Sequence, residues 1–299
     1  MIKINNVSKN YGRTVAVDGV SLEICEGEIF GFVGPDGAGK TTLIRMIAGI
    51  MAPASGEVRV LGTANPEVIK QYLGYVPQKF SLYGELTVRE NIFLLGSLYG
   101  QDQETIAERA HQILSFTNLL PFQERLADNL SGGMKQKLAL AAGLMHNPRI
   151  FLLDEPTTGV DPVSRREFWQ MLFRLNKEGM TIIVSTPYMD EAELCSRVAF
   201  MHQGTVAYCH SPQGLRQNYP YKVFELSATD QEVRRCLSGI AAIECNRFGD
   251  KYHVIVKDSV LSLKEVESIV RRAGVAIESL QEIDPTLEDV FVALASEVV

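Results

Sequence analysis

The sequence has one tryptophan, five cysteines and no long apolar run among its 299 residues. A membrane-spanning helix needs about 18 or more consecutive apolar residues. The longest candidates, Leu138–Met145 and Ile150–Leu153, have only the length of core elements. The beginning, Met1-Ile2-Lys3-Ile4-Asn5, shows neither a basic stretch nor an apolar one, so no signal peptide is expected. Any service to a membrane is therefore expected from outside the bilayer. The cysteines (Cys25, Cys195, Cys209, Cys236, Cys245) have no CxxC spacing and are odd in number, which argues against a disulfide framework and fits thiols in a reducing cytosol. Cys209 and His210 are adjacent, which is not a metal-site spacing. Positive charge is also short: 29 Lys and Arg face 36 Asp and Glu, a net charge of −7. That balance argues against a nucleic-acid partner, which requires a basic surface. Internal repeats, low-complexity tracts and sustained heptads are lacking too.

What is present is an alternation of short β-rich runs with helical stretches over the first ~215 residues, the pattern of an α/β domain with a largely parallel sheet. Strands are predicted at Lys3–Val7, Glu28–Val33, Tyr72–Val76, Ile150–Leu153, Thr181–Val184 and Arg197–His202. Between about Phe80 and Asn147 the pattern is helical alone, which predicts a helical subdomain inserted between two strands. Thr87-Val88-Arg89-Glu90 reads as a capping box opening a helix with Ile92, Leu95 and Leu98. Asp161-Pro162 opens another helix, whose apolar stripe is Phe168, Met171, Leu172 and Leu175 and which Gly179 ends. Trp169 lies off that stripe. From Tyr221 the texture changes. Val223–Ala228, Gln231–Leu237, Ala242–Arg247, Tyr252–Lys257, Leu263–Arg272 and Ala276–Glu282 read as β-α-β-β-α-β, with a last helix over Leu287–Ala295. This order predicts a small ferredoxin-like α+β domain over 221–299, joined to a domain over 1–215 through the stretch around Gly204–Pro220.

Three motifs carry chemistry. Gly34-Pro35-Asp36-Gly37-Ala38-Gly39-Lys40-Thr41 fits G-x-x-x-x-G-K-[ST] and lies between an apolar strand and a helical run, Thr42–Ile50. Its glycines let backbone N–H groups converge on phosphate oxygens at a helix N-terminus. Lys40 would reach the β- and γ-phosphates of ATP, and the Thr41 hydroxyl would bind Mg²⁺. Arg149-Ile150-Phe151-Leu152-Leu153-Asp154-Glu155 is an apolar strand ending in two carboxylates: Asp154 suits Mg²⁺, and Glu155 suits a general base toward the attacking water. Leu130-Ser131-Gly132-Gly133-Met134-Lys135-Gln136 places an N-cap serine and two glycines at a second helix start, a second anion-receptive end that a single nucleotide does not need.

Leu-Ser-Gly-Gly-x-x-Gln in these surroundings resembles the signature of ABC transporter ATPases, and the resemblance covers roughly Ile2–Leu215. It implies a P-loop cassette with an inserted helical subdomain. It also implies that Tyr11 stacks on adenine, and that Gln78 senses Mg²⁺ and the attacking water and links the site to a transmembrane permease subunit. The family's subunits sandwich two ATP molecules head to tail. By that likeness Ser131, Gly132 and Gly133 of one subunit would close on the γ-phosphate held by Lys40 of the other. Gly34, Asp36, Gly37, Ala38, Gly39 and Thr42 would complete the nucleotide cradle, and Asp161, in Gly159-Val160-Asp161-Pro162, would communicate across the dimer. The stretch Leu287-Glu288-Asp289-Val290-Phe291 resembles the extension on bacterial ABC-2-type exporter ATPases. Export of a drug-like or other small molecule, with the protein peripheral on the cytoplasmic side of the cell membrane, is therefore expected.

Two departures stand out. Most family members carry a histidine where this chain has Pro187, in Ser185-Thr186-Pro187, and proline has neither a side-chain donor nor a backbone N–H. Asp36 stands where the family usually has asparagine. Three functions stay open on the sequence: an exporter motor with Lys79–Glu90 (Phe80, Leu82, Tyr83) as its docking surface, a low-activity regulatory subunit of a heteromer, and a soluble ABC-type ATPase acting on ribosomes or DNA.

Overall fold

Strand β1 (Ile2–Tyr11) buries Ile2, Ile4 and Val7 while turning alternate residues to solvent, the mark of a strand in a sheet covered on one face. It pairs antiparallel with β2 (Thr14–Ile24), Ile2 opposite Ile24 and Tyr11 opposite Thr14. β3 (Ile29–Val33) is buried at all five positions. It runs into the glycine loop and then α1 (Lys40–Ile47), which turns Leu43, Ile44 and Ile47 inward. β4 (Ser55–Val60) returns to the free edge of β1. The short α2 (Pro66–Ile69), capped by Asn65, leads into β5 (Leu73–Val76). The computed structural model describes residues 1–228, 233–237, 243–257 and 261–297.

Helices then take over: α3 (Val88–Leu98), α4 (Gln103–Phe116) and α5 (Gly132–Gly143). The capping box of α3 is formed as read, with Thr87 and Glu90 bonding each other's backbone N–H. Ile92 is buried, whereas Leu98 is 71% exposed rather than part of the inward face. The chain returns to strand at β6 (Ile150–Asp154) and continues through α6 (Pro162–Lys177), β7 (Thr181–Thr186), the short α7 (Met189–Ala192), β8 (Arg197–His202) and β9 (Thr205–His210). Asp161 accepts from the N–H groups of Val163 and Ser164, and Pro162 opens the first turn of α6. Trp169 is 2% exposed, so the inward face of α6 is wider than the stripe Phe168, Met171, Leu172, Leu175.

The six-stranded sheet has the order β5-β6-β7-β3-β8-β9, parallel except for β9. β3, β6 and β7 are buried throughout, which is why the runs Ile150–Leu153 and Ile182–Val184 within them are continuously apolar. A three-stranded antiparallel sheet, β2-β1-β4, shares one core with it through Ile2, Ile4, Phe30, Phe32, Leu43 and Ile44. β2, β4 and β9 were not among the predicted strands. β2 is interrupted by Asp18-Gly19, β4 begins Ser55-Gly56, and β9 is an edge strand with no buried residue, so none shows a clean apolar period.

The chain divides into two units, Met1–His210 and Ser211–Val299. The second opens with α8 (Pro212–Gln217) and continues through β10 (Lys222–Ala228), α9 (Val233–Leu237), β11 (Ile243–Phe248), β12 (Lys251–Val256), α10 (Leu263–Arg272), β13 (Ile277–Ile283) and α11 (Leu287–Glu297). Its sheet has the order β11-β12-β10-β13, antiparallel at every pair, which is the ferredoxin-like arrangement. Its own core includes Phe224, Leu226, Val254, Val266 and Val270. Gln231 and Ala242, predicted helix and strand residues, lie outside the described residues.

Candidate functional site

The glycine loop leaves the C-terminal end of β3, where a parallel sheet opens its crevice, and ends at the N-terminus of α1. Its backbone demands glycine at two points. A Cβ on Gly34 would stand 2.2 Å from the Met201 carbonyl oxygen. One on Gly39, at φ +103°, would stand 2.3 Å from the Ala16 carbonyl oxygen. The loop bounds a cavity of about 380 Å³ lined by Ala16, Asp36, Gly37, Ala38, Gly39, Lys40, Thr41, Thr42, Gln78 and Glu155. That volume suits a ligand the size of a nucleotide.

A helix start and two strand ends bring polar groups to the cavity. Lys40, 3% exposed, donates to the carbonyls of Gly34 (2.8 Å) and Pro35 (3.0 Å), and its Nζ lies 3.3 Å from Glu155 Oε1. A buried ammonium is stable only with such partners. Gln78, just past β5, donates from Nε2 to Glu155 Oε2 at 2.9 Å. Glu155 sits at φ +48°, uncommon for a residue with a side chain, and its N–H is held by Ser185 Oγ (2.9 Å) and the Ser185 carbonyl (3.2 Å). Asp154 Oδ1 accepts from Thr41 Oγ1 (3.0 Å) and Ser185 Oγ (2.7 Å). Asp154 Oδ2 is buried with no hydrogen-bond partner. A carboxylate oxygen with open valence, next to a hydroxyl and an amide, is the hard-oxygen donor set that suits Mg²⁺.

Lys40, Thr41, Gln78, Asp154 and Glu155 are thus brought together. Asp36, Gly37, Ala38, Gly39 and Thr42 line the same cavity, and Gly34, outside the lining, holds Lys40 through its carbonyl. Tyr11, 46% exposed at the end of β1, hydrogen-bonds Met51 Sδ at 3.1 Å and lies outside the lining. Ser131, Gly132, Gly133 and Asp161 also lie outside it; Gly132 and Gly133 face Gly159 and Ser164, on either side of Asp161. Ser131 caps α5 by accepting from the Met134 N–H. A Cβ on Gly133 would stand 2.5 Å from Ser164 Cβ on α6. Lys137 pairs with Glu167 at 2.5 Å, tying α5 to α6. Hydrogen bonding from Ser164 holds the Asp161 carboxyl below the usual aspartate range. Pro187 is partly buried directly after β7, and the cavity lining has no histidine.

Sequence reasoning missed two contributors. Ser185 becomes visible only once β7 is known to pair with β6, which sets it opposite Asp154. Ala16 carries no sequence signal, because it contributes through its backbone.

A second cavity, of about 510 Å³, includes Leu82, Tyr83, Leu95, Leu98, Tyr99 and Ile50 in its lining. Leu98, Ile50 and Tyr83 are 71%, 57% and 51% exposed.

Known proteins bear on this geometry. The family model for "ABC transporter" matches residues 17–158. Nod factor export ATP-binding protein I of Rhizobium etli is 36% identical over 98% of this chain and 92% of its own length. The chain belongs to the ABC transporter ATP-binding family. The protein named "Probable multidrug ABC transporter ATP-binding protein YbhF" of Escherichia coli is 40% identical over 98% of this chain, which spans about half (52%) of that relative's length. Among solved structures, the ATP-binding cassette MJ0796, a dimer in a post-hydrolysis state bound to ADP and Pi, matches with a TM-score of 0.65 at 30% identity, covering 71% of this chain and 98% of that one. In this ABC cassette, then, the cavity at the glycine loop and the capped α5 start lie within the region of family likeness.

Proposed function

We propose that this cassette binds and hydrolyses Mg-ATP as the motor of an exporter for a drug-like or other small molecule. In this reading it works as a pair of ATPase subunits, peripheral on the cytoplasmic side of the membrane, seated on a separate permease. The observation that carries the reading is the buried set Lys40–Glu155–Gln78 with Thr41–Asp154 at the mouth of the nucleotide-sized cavity. Thr41, Asp154 and Gln78 would hold Mg²⁺, which neutralises charge on the β- and γ-phosphates when bound. Lys40 exchanges its carboxylate and carbonyl partners for phosphate oxygens. Glu155, freed from Lys40, accepts the proton of the attacking water, and Gln78 keeps its carboxylate aimed. Tyr11 stacks on the adenine, and its exposure leaves one ring face available. Ser131, Gly132 and Gly133 of a second subunit cover the γ-phosphate from the other side, with Asp161 beside them.

The permease docks at the groove of Leu82, Tyr83 and Leu95, where the exposed Tyr83, Leu98 and Ile50 line a depression fit for an apolar helix end. The names of the relatives, multidrug and Nod factor export among them, support export as the direction. The test is steady-state hydrolysis of Mg-ATP by the wild type and Glu155→Gln. Turnover falls by about 10³-fold in the variant while ATP still binds. Equal rates would sink the reading.

A second reading, favoured by Pro187, is a subunit of low intrinsic turnover that pairs with a different, competent one. With no donor at Pro187, the γ-phosphate lacks one positioned contact, worth on the order of 10²–10³ in rate. Pro187→His raises turnover by about tenfold or more if that contact is what limits the cassette. A wild type that is already fast and indifferent to the exchange removes this second reading.

A further inference from the structure

Glu191, on α7, is 1% exposed and has both carboxylate oxygens engaged. Thr157 Oγ1 donates to Oε1, and Thr186 Oγ1 donates to Oε2 at 2.6 Å. Arg165 Nε, on α6, lies 3.5 Å from Oε1, and the same guanidinium lies 4.3 Å over the Tyr188 ring and 3.5 Å from Asp190. Thr157 and Thr186 are themselves 1% and 0% exposed. Thr186 Oγ1 also accepts from the Tyr188 N–H at 3.1 Å, fixing the chain on both sides of Pro187. One buried carboxylate therefore fastens three segments: the turn after β6, the end of β7 and the first turns of α6.

Two of the fastened residues stand close in sequence to groups assigned to the reaction, and the third shares a helix start with Asp161. Thr157 is two residues past Glu155, and its neighbour Thr158 reaches Glu155 Oε2 at 3.5 Å. Thr186 follows Ser185, which holds Asp154 and the Glu155 N–H, and precedes Pro187. Arg165 lies four residues past Asp161. Burying a carboxylate is unfavourable unless it is fully paired, and here every partner belongs to a segment that carries part of the site. We propose that Glu191 is a positioning residue for hydrolysis. It locks the Glu155–Thr158 turn to the strand end before Pro187, so that the Glu155 carboxylate keeps its aim in a site without an imidazole. This inference rests on the ATPase reading above.

The experiment compares the wild type with Glu191→Ala, Glu191→Gln, Thr157→Val and the Glu191→Ala/Thr157→Val double variant. It measures kcat and KM for Mg-ATP, affinity for a fluorescent ATP analogue, and melting temperature. Glu191→Ala lowers kcat by about tenfold or more with KM and analogue affinity within about threefold, because only the aim of the base is lost. Glu191→Gln keeps an oxygen and an N–H₂ for the two threonines and restores kcat to within about threefold of wild type. The double variant is no slower than Glu191→Ala, since both changes cut the same link. An unchanged kcat in a folded Glu191→Ala protein would overturn the proposal, as would losses that add in the double variant or that disappear when the assay is cooled below the lowered melting point. If Glu191→Ala does not fold, Thr157→Val carries the test alone: a several-fold fall in kcat at constant KM supports the proposal, and an unchanged kcat overturns it. An inert wild type, equal to Glu155→Gln, would mean that the ATPase reading itself has failed. An active wild type with indifferent Glu191 and Thr157 variants sinks only the inference drawn here.

Discussion

Two glycine-marked helix starts in this cassette, at α1 and at α5, look alike in sequence and differ in what surrounds them. At α1 the loop needs glycine at Gly34 and Gly39, and Lys40 at the helix start meets Asp154 and Glu155 at the end of β6 and Gln78 past β5. At α5 the start is capped by its own Ser131 and backed by α6 through Gly133 and the Lys137–Glu167 pair, and it takes no part in lining the cavity at α1. A helix N-terminus attracts anions through a partial charge alone. The first start adds the cation, the carboxylates and the enclosure; the second offers donors only, and in the function proposed above it is half of a site whose other half lies on a second subunit.

That difference is open to attack at four places. Lys40→Ala removes the buried cation, so ATP affinity and turnover both collapse, turnover by about 10³-fold or more, as read by hydrolysis and equilibrium binding. Ser131→Arg blocks the second start: turnover falls by about 10²-fold while the single protein binds ATP within about threefold of wild type, which separates the two helix ends by a kcat-against-affinity split. Equal losses of affinity in both variants would erase the distinction. Next come the glycines themselves. Gly39→Ala meets a backbone oxygen in a left-handed conformation and destabilises by about 1–3 kcal/mol, whereas Gly132→Ala, with its nearest neighbour at 3.9 Å, stays within about 0.5 kcal/mol; chemical denaturation checks both. The smallest effect is at Asp161. Its folded carboxyl sits below its ordinary range, so the stability it contributes is present above that range and is lost as pH falls through the lowered value. The melting-temperature gap between wild type and Asp161→Asn is therefore open at pH 7 and closes in acid.

Much of this was legible before any coordinates. The buried strands β3, β6 and β7 announce themselves through apolar runs such as Ile150–Leu153 and Ile182–Val184, and the Thr87–Glu90 and Asp161–Pro162 helix starts carry local capping chemistry that needs no tertiary help. The ferredoxin-like order of the second unit followed from alternating patterns alone. The antiparallel layer was hidden because β2 carries Asp18-Gly19 in its middle and β4 starts on Ser55-Gly56, residues that punctuate turns when read locally. At the site, motif residues were visible because their chemistry depends on side-chain type and spacing. Ser185 and Ala16 were not, since each acts through a sheet register or a backbone approach that only folding creates. Glu191 is the extreme case: its partners Thr157, Arg165 and Thr186 are spread over 30 residues of chain, and nothing local marks it.

The central claim is that one working site is divided between the α1 start of one subunit and the α5 start of another. Mixing purified Lys40→Ala and Ser131→Arg proteins and measuring Mg-ATP hydrolysis tests it directly. Each variant alone keeps about a hundredth of the activity or less, and the mixed pair rebuilds one intact site per heterodimer, so activity returns to about a quarter of the wild-type level. A mixture that hydrolyses no more than the sum of its parts would contradict the claim.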